Sequence, residues 1–373
     1  MKKVALITLH AVKNYGSVLQ TFATQCLFEE MGNKVQVIDY RRPWETCLGY
    51  WFFLPDKSIV GLMRQCMYFP SKILQYRVFN RFLKDNIKLT KKKYSSEKEL
   101  LNDPVEADIY CTGSDQVWNS GWNNGVIPAY FLSFVKKNDK IKKIAYAASF
   151  GNEQVTLNEK SIINPLLQDY DLITVRENVS IDLLKKEFGL EAYGVFDPTL
   201  QLTGNFWREF AGDDSLIHED YVLLIQLNRN HQFDKFAIQF SNDKKFRLIR
   251  LCFRVDQIVL PGKPIVIPEI KDYITLIKNA RYVLTDSFHA ISFCLNLNKQ
   301  FYCYYPPKYS SRLTSILQFT HLDNRVIINN QIMCGAECDI NYEKINIIID
   351  NERKACKELM KSFIKESYPQ KEI

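Results

Sequence analysis

Again and again along this chain a short apolar run stops at a polar cluster, and beyond the cluster apolar residues recur at helical spacing. Lys3-Val-Ala-Leu-Ile-Thr-Leu9 is the first such run, apolar enough for a central parallel strand with helices on both faces. His10 to Gly16 reads as loop. Ser17 to Phe28 reads as a helix, with Val18, Phe22 and Cys26 on one face and Ser17 as its cap. Gly32 and Asn33 end it, and Lys34 to Asp39 is the next strand. Strand, helix and parallel strand make a βαβ unit, so the chain opens as an α/β domain with helix N-termini at one sheet edge.

The rhythm continues. Strands are expected at 107–112, 143–148, 171–175 and 191–196, closed by Gly113-Ser-Asp-Gln116, Ser149-Phe-Gly151, Arg176-Glu-Asn178 and Asp197-Pro-Thr199. Residues 199–219 read as a linker. A second series follows, with strands at 221–227, 247–251, 265–267, 281–284 and 300–304, and helices near 231–241, 270–279, 289–297, 310–319 and 342–365. The expectation is an α/β protein of two Rossmann-like domains, 1–203 and 204–373, with parallel sheets facing a central cleft. Residues 43–70 break the rhythm with Trp44, Tyr50-Trp-Phe-Phe53 and Met67-Tyr-Phe69. They read as an insertion whose aromatics pack on the domain; the competing reading is an interfacial patch that makes peripheral membrane contact. Lys91-Lys-Lys93 reads as a solvated charge run.

Composition excludes several functions. The 373 residues are 46% hydrophobic and 24% charged, a globular balance long enough for two domains. The net charge of +7, from 49 basic and 42 acidic residues, is too mild and too evenly spread for a nucleic-acid partner. No apolar run approaches the roughly 20 residues of a spanning helix, and Val4 to Thr8 is too short for a secretory segment. The ten cysteines are scattered without a CxxC pair, as reduced thiols of a cytoplasmic protein would be, and Cys334 with Cys338 has no second ligand pair. There is no GxGxxG, no Walker loop, no GxSxG and no HExxH. Asp169-Tyr-Asp171 precedes a strand instead of following one. No metal and no cofactor are expected.

The segment Tyr282-Val-Leu-Thr-Asp-Ser-Phe-His-Ala290 reads as strand, tight turn and helix, with Asp286, Ser287 and His289 at the junction. In an open α/β sheet such a junction offers free N–H groups and a positive dipole end to an anion. The loops also carry His10, Asn14, Gly16, Asp115, Arg176, Glu177 and Arg312. Arginine grips carboxylate and phosphate with two parallel hydrogen bonds. Histidine exchanges protons near neutral pH.

Over most of its length the chain resembles the polysaccharide pyruvyl transferase family. The resemblance rests on Asn14-Tyr-Gly-Ser-Val-Leu-Gln20, Gly113-Ser-Asp-Gln-Val-Trp118, Ala148-Ser-Phe-Gly151, Val175-Arg-Glu177, Asp197-Pro-Thr199, Thr285-Asp-Ser-Phe-His289 and Ser311-Arg-Leu313. It implies a GT-B-like fold with the acceptor on the N-terminal domain and the donor on the C-terminal one. It implies transfer of the enolpyruvyl group of phosphoenolpyruvate onto a sugar hydroxyl pair, giving a pyruvate ketal during bacterial cell-surface (exopolysaccharide) biosynthesis. Phosphoenolpyruvate would be the donor substrate, and the acceptor a saccharide, free or lipid-linked, met in the cytoplasm or at the inner membrane face. Arg176 matches the family's donor-site arginine and His289 its histidine, while Ser287 and Phe288 replace the Arg-Leu before that histidine. Arg312 is the candidate for the missing charge, with Ser287, Asn14, Gly16 and His10 as further substrate contacts. His289 would fill one acid–base role and Asp115 or Asp286 the other. Two alternatives stay open: a GT-B-type glycosyltransferase with a nucleotide-sugar donor, and a non-catalytic saccharide-binding member.

Overall fold

The computed structural model describes residues 1–52, 58–136, 138, 140–152, 154–212, 216–306, 311–333, 335–336 and 338–365. A seven-stranded sheet contains β1 (Lys3–Ile7), β2 (Lys34–Tyr40), β3 (Leu89–Tyr94), β4 (Ile109–Thr112), β5 (Lys142–Ala148), β6 (Leu172–Val175) and β7 (Tyr193–Gly194) in the order β3-β2-β1-β4-β5-β6-β7. A five-stranded sheet contains β8 (Tyr221–Ile225), β9 (Arg247–Cys252), β10 (Lys263–Val266), β11 (Tyr282–Thr285) and β12 (Gln300–Cys303) in the order β10-β9-β8-β11-β12. All pairs in both sheets are parallel. The central strands are buried from end to end, as in β4, β5, β8 and β11, because helices cover both faces. The two sheets share one logic. Strand order reverses between β1 and β4 in one and between β8 and β11 in the other, and each reversal opens a crevice beyond the strands' carboxyl ends.

One strand was not expected. β3 holds the lysine run, with Lys91, Lys92 and Lys93 exposed and Thr90 and Tyr94 buried. Thr90 Oγ1 accepts from the Asp39 N–H at 2.9 Å, and the Tyr94 carbonyl accepts from Arg41 N–H at 2.8 Å. The lysines are solvated, as the sequence suggests, and on an edge strand they also oppose pairing with another chain.

The chain divides into one unit of residues 1–50, 83–201 and 349 onward, and a second of residues 51–82 and 202–348. Besides the change near residue 202, two segments pass from one unit to the other. The helix Ile59–Asn86 has its middle in the second unit: Ser71 Oγ accepts from Val255 N–H at 2.9 Å, Gln75 donates to the Phe253 carbonyl at 2.9 Å, and Arg81 pairs with Glu269 at 2.8 Å. From Ile349 the last helix belongs to the first unit. Arg353 Nε donates to the Leu200 carbonyl at 2.7 Å, and the ammonium groups of Lys2 and Lys142 cap the carbonyls of Ile364 and Phe363. Apart from the Arg81–Glu269 ion pair, these ties join side chain to backbone across long sequence separations, which no periodicity reveals. In the 43–70 stretch, Trp51 is half-buried against Phe69 (5.7 Å between ring centroids) and Tyr76 (5.3 Å), while Phe53 and Lys57 lie outside the described residues.

Candidate functional site

At the carboxyl edge of the first sheet, each loop brings one polar side chain to a common cluster. The helix after β1, Tyr15–Glu30, begins two residues before the expected Ser17, because the Asn14 side chain accepts from the N–H groups of Gly16 (2.8 Å) and Ser17 (3.3 Å). Asn14 and Gly16 therefore form the helix cap. Ser17, released from capping, donates through Oγ to Asp115 Oδ2 at 2.6 Å. That bond spans the reversal between β1 and β4.

Asp115 sits at φ +76°, a conformation Asp tolerates better than most residues because its short side chain bonds locally. Here Oδ1 accepts from Gln116 N–H at 2.9 Å. The Val117 N–H donates to the Asp115 carbonyl at 2.8 Å, and the Trp118 N–H to the Ser149 carbonyl at 3.2 Å. These bonds hold the turn between two anchors. Ala147, at φ +54° where β5 shifts register, has no such local compensation.

Arg176 lies at the centre. Its side chain is 1% exposed, and its guanidinium stands 2.8 Å from Asp197, 3.5 Å from Glu177 and 3.7 Å from Asp115. Burial opposes its charge, but Glu177, Asp197 and Asp115 outweigh burial and raise its pKa above the ordinary value. Ser114 donates to Asp197 at 3.0 Å, Thr199 Oγ1 to Asp197 at 2.7 Å, and Ser149 to Glu177 at 2.7 Å. Three carboxylates thus surround one guanidinium. In this setting the Arg176 charge already faces three acidic partners.

Beside this cluster His10 is fully buried, with Nε2 3.0 Å from Asp39 Oδ1 and Nδ1 3.2 Å from the Thr8 carbonyl. Arg41 Nε donates to the same carboxylate at 2.6 Å. Burial pushes the Asp39 carboxyl up, yet the His10 and Arg41 hydrogen bonds prevail and hold it down at about 2. Lys13, in the same loop, is pushed down to about 8 by burial and then by the Arg41 charge. Its place between a strand and a helix was legible in the sequence; its burial was not.

The second sheet's edge has different chemistry. Ser287 caps the helix Phe288–Asn296, accepting from Ala290 N–H at 3.4 Å. Asp286 reaches across the reversal to β8 and accepts from the N–H groups of Leu227 (2.7 Å) and Asn228 (2.8 Å) and from the Asn228 side chain (3.1 Å). Burial raises its pKa, with these bonds opposing. Through these bonds its oxygens brace two loops. His289 opens the helix, its ring edge-on to Phe288 at 5.4 Å. The Arg312 guanidinium lies 5.9 Å from the centroid of the same Phe288 ring. The structure therefore brings Arg312 and His289 to one aromatic side chain beside a helix N-terminus.

A profile of the polysaccharide pyruvyl transferase family matches residues 14–307, which include both edges. The chain belongs to the polysaccharide pyruvyl transferase family. No curated protein matches it. Among solved structures it is similar to HepE of Anabaena in complex with UDP and glucose, at 8% identity and a TM-score of 0.52, with 97% of this chain and 100% of that one covered. It is also similar to the spinosyn rhamnosyltransferase SpnG (9% identity, TM-score 0.49, covering 98% and 100%). A third similar structure is UDP-N-acetylglucosamine 2-epimerase from Rickettsia bellii (13% identity, TM-score 0.45, covering 98% and 98%). At such identities the likeness is one of fold, and the fold is GT-B-like.

In this member of the family the motifs fall where the strands end. Asn14 to Gln20 follows β1, Gly113 to Trp118 follows β4, Ser149 follows β5, Arg176-Glu177 follows β6, and Asp197-Pro-Thr199 follows β7. Gly113 is required by crowding: a Cβ there would stand 2.8 Å from Leu6 Cδ1 and 3.0 Å from Thr8 Cβ. The sequence identified most of the members; it did not show that they bond to one another. Among the described residues, no group of three His, Cys, Asp or Glu side chains is placed to hold a metal ion.

Proposed function

We propose that the chain is a phosphoenolpyruvate-dependent pyruvyl transferase that ketalises a pair of sugar hydroxyls during cell-surface polysaccharide biosynthesis, and that it acts in the cytoplasm, where phosphoenolpyruvate is available. The observation that carries the reading is the difference between the two sheet edges. The second edge offers a helix N-terminus, Arg312 and His289, which suit a ligand bearing a carboxylate and a phosphate. The first gathers three carboxylates around one arginine, which repels a polyanion and suits the hydroxyls of a sugar.

In the proposed reaction one sugar hydroxyl oxygen bonds to C2 of the enolpyruvyl group while the methylene carbon gains a proton and becomes methyl. The second hydroxyl oxygen then bonds to the same carbon as its bond to the phosphate oxygen breaks. One hydroxyl proton is balanced by the methyl group and the other by the released phosphate, so no cofactor is needed. His289 is the candidate proton donor and Asp115 the candidate base for a sugar hydroxyl. Arg312 would hold the donor, and Arg176 would position Asp115 and Asp197.

The test is phosphate release from phosphoenolpyruvate with a panel of galactosides, glucosides and mannosides, with mass spectrometry for a pyruvate ketal. A product of the expected mass supports the reading; phosphoenolpyruvate left intact with every acceptor opposes it. The likeness to HepE, solved with UDP and glucose, favours one second reading, a nucleotide-sugar donor. Thermal shift on adding UDP or GDP sugars, and none with phosphoenolpyruvate, would support that reading instead.

A further inference from the structure

The first turns of the helix Ile59–Asn86 present apolar side chains outward. Met63 is 68% exposed, Leu62 53%, Met67 52% and Phe69 48%, with Val60 and Ile73 also exposed. Leu62, Phe69 and Ile73 recur at seven and four residues, and Met63 and Met67 at four, so they line adjacent rows on one broad side of the helix. Ser71, next in the Met63 and Met67 row, is buried, as are Val78 and Phe79 further along, so the exposed apolar set ends near Ile73. Scattered exposed apolar residues are ordinary on a soluble surface; a contiguous set within four turns is not.

Charge selects the occupant. Residues 58–84 contain Arg64, Lys72, Arg77, Arg81 and Lys84 and no Asp or Glu. Arg81 is paired with Glu269, while Arg64 is exposed beside the apolar rows. A second copy meeting this face about a twofold axis would set these cations against their own equivalents. A lipid surface carrying negative headgroups meets them with the opposite sign and accepts the apolar rows below the headgroups. No helix among the described residues is long and apolar enough to cross a membrane, so the contact lies in the interfacial plane.

We propose that the outward face of residues 60–73 docks the protein on an anionic membrane surface. Trp51, half-buried against Phe69 and Tyr76, flanks this set and is not itself the anchor.

The test is co-sedimentation of the full chain with phosphatidylcholine vesicles and with phosphatidylcholine–phosphatidylglycerol vesicles. Binding is expected to the anionic vesicles, to weaken as salt is raised, and to be slight on phosphatidylcholine alone. Arg64→Glu should weaken it about tenfold or more, from the loss and reversal of one headgroup contact. The double variant Leu62→Ser/Phe69→Ser should weaken it at least about tenfold through lost apolar burial. Both substitutions are at exposed positions, and unchanged thermal melting checks that each variant is folded. Absence of sedimentation with anionic vesicles at low salt overturns the proposal. So does wild-type vesicle affinity in both variants. So does a dimer in analytical ultracentrifugation that Leu62→Ser/Phe69→Ser dissociates while vesicle binding persists. None of these readouts involves turnover, so this proposal and the assignment of the reaction can fail separately.

Discussion

The carboxyl edges of the two sheets have the same topology and opposite chemistry. In the first, carboxylates predominate: Asp115, Glu177 and Asp197 enclose Arg176, and serine and threonine hydroxyls occupy the remaining acceptor sites. In the second, the carboxylate of Asp286 accepts from N–H groups, and a histidine and an arginine meet one phenylalanine ring. A strand reversal therefore supplies only a crevice and helix termini. The side chains on the loops decide what kind of ligand each crevice suits, and in this chain two copies of one device have been set to opposite charge.

The largest expected effect falls on the basic edge. His289→Ala should lower turnover of phosphoenolpyruvate by about 10²–10⁴, the scale of a lost general acid or base, while donor binding changes little. Steady-state kinetics with phosphate detection reads both. Turnover within a factor of a few of wild type would remove His289 from proton transfer, and with it much of the contrast between the edges.

Next comes the acidic edge, read as stability. Arg176→Ala leaves three buried carboxylates without their shared cation and should cost about 3–5 kcal/mol of folding free energy. In a protein of this size that is a melting-temperature drop on the order of 10 °C. The competing outcome is a weakened donor constant at unchanged melting temperature. That result would return Arg176 to the donor site and make the two edges alike.

A smaller effect is expected for Arg312→Ala, which removes one charge-assisted donor contact and should raise the apparent phosphoenolpyruvate constant about 10- to 100-fold. Placing an arginine back by Ser287→Arg in that background should recover part of the affinity. It also removes the Ala290 cap, at about 1 kcal/mol of stability. Arg41→Ala, the comparable change at the first edge, should leave the donor constant as it was; a matching rise would erase the distinction. The phosphoenolpyruvate constant of each variant, measured beside its melting temperature, separates these cases.

Much of this was legible in the sequence because the controlling signal is local. Apolar runs marked nearly every strand, and the residues after them supplied the members of both edges. Three things were not legible, each for a physical reason. β3 is an edge strand whose outward lysines look like loop charge, since nothing apolar marks it except Leu89 and Tyr94. Arg176 reads as an anion grip because two of its three partners, Asp115 and Asp197, are 61 and 21 residues away in the chain and meet it only through the fold. Asp286 reads as an acid–base group because its backbone donors, Leu227 and Asn228, belong to a loop almost 60 residues earlier. In each case the residue type is local information and the identity of its partners is not.

The smallest effect compares two carboxylates, one from each edge, through pH. The His10 and Arg41 bonds overcome burial and hold Asp39 at about 2 against an ordinary value of 3.8. The folded protein therefore binds a proton at Asp39 less readily than the unfolded chain does. The stability this confers is present above the unfolded value and is lost as pH falls from about 4 through about 2, an effect on the order of 2 kcal/mol. Asp286 works in the opposite sense. Its pKa is raised by burial, so its contribution is present below the unfolded value and is lost as pH rises through the folded one. The two partly cancel in the wild-type acid limb. Denaturant unfolding of wild type and Asp39→Asn between about pH 5 and pH 2 isolates the first. Asp39→Asn should be less stable near pH 5, and the gap should close towards pH 2. A gap that stays constant across that range would mean that Asp39 contributes packing and neutral hydrogen bonds instead of a held charge, and the first edge would then owe its acidic character to the Arg176 cluster.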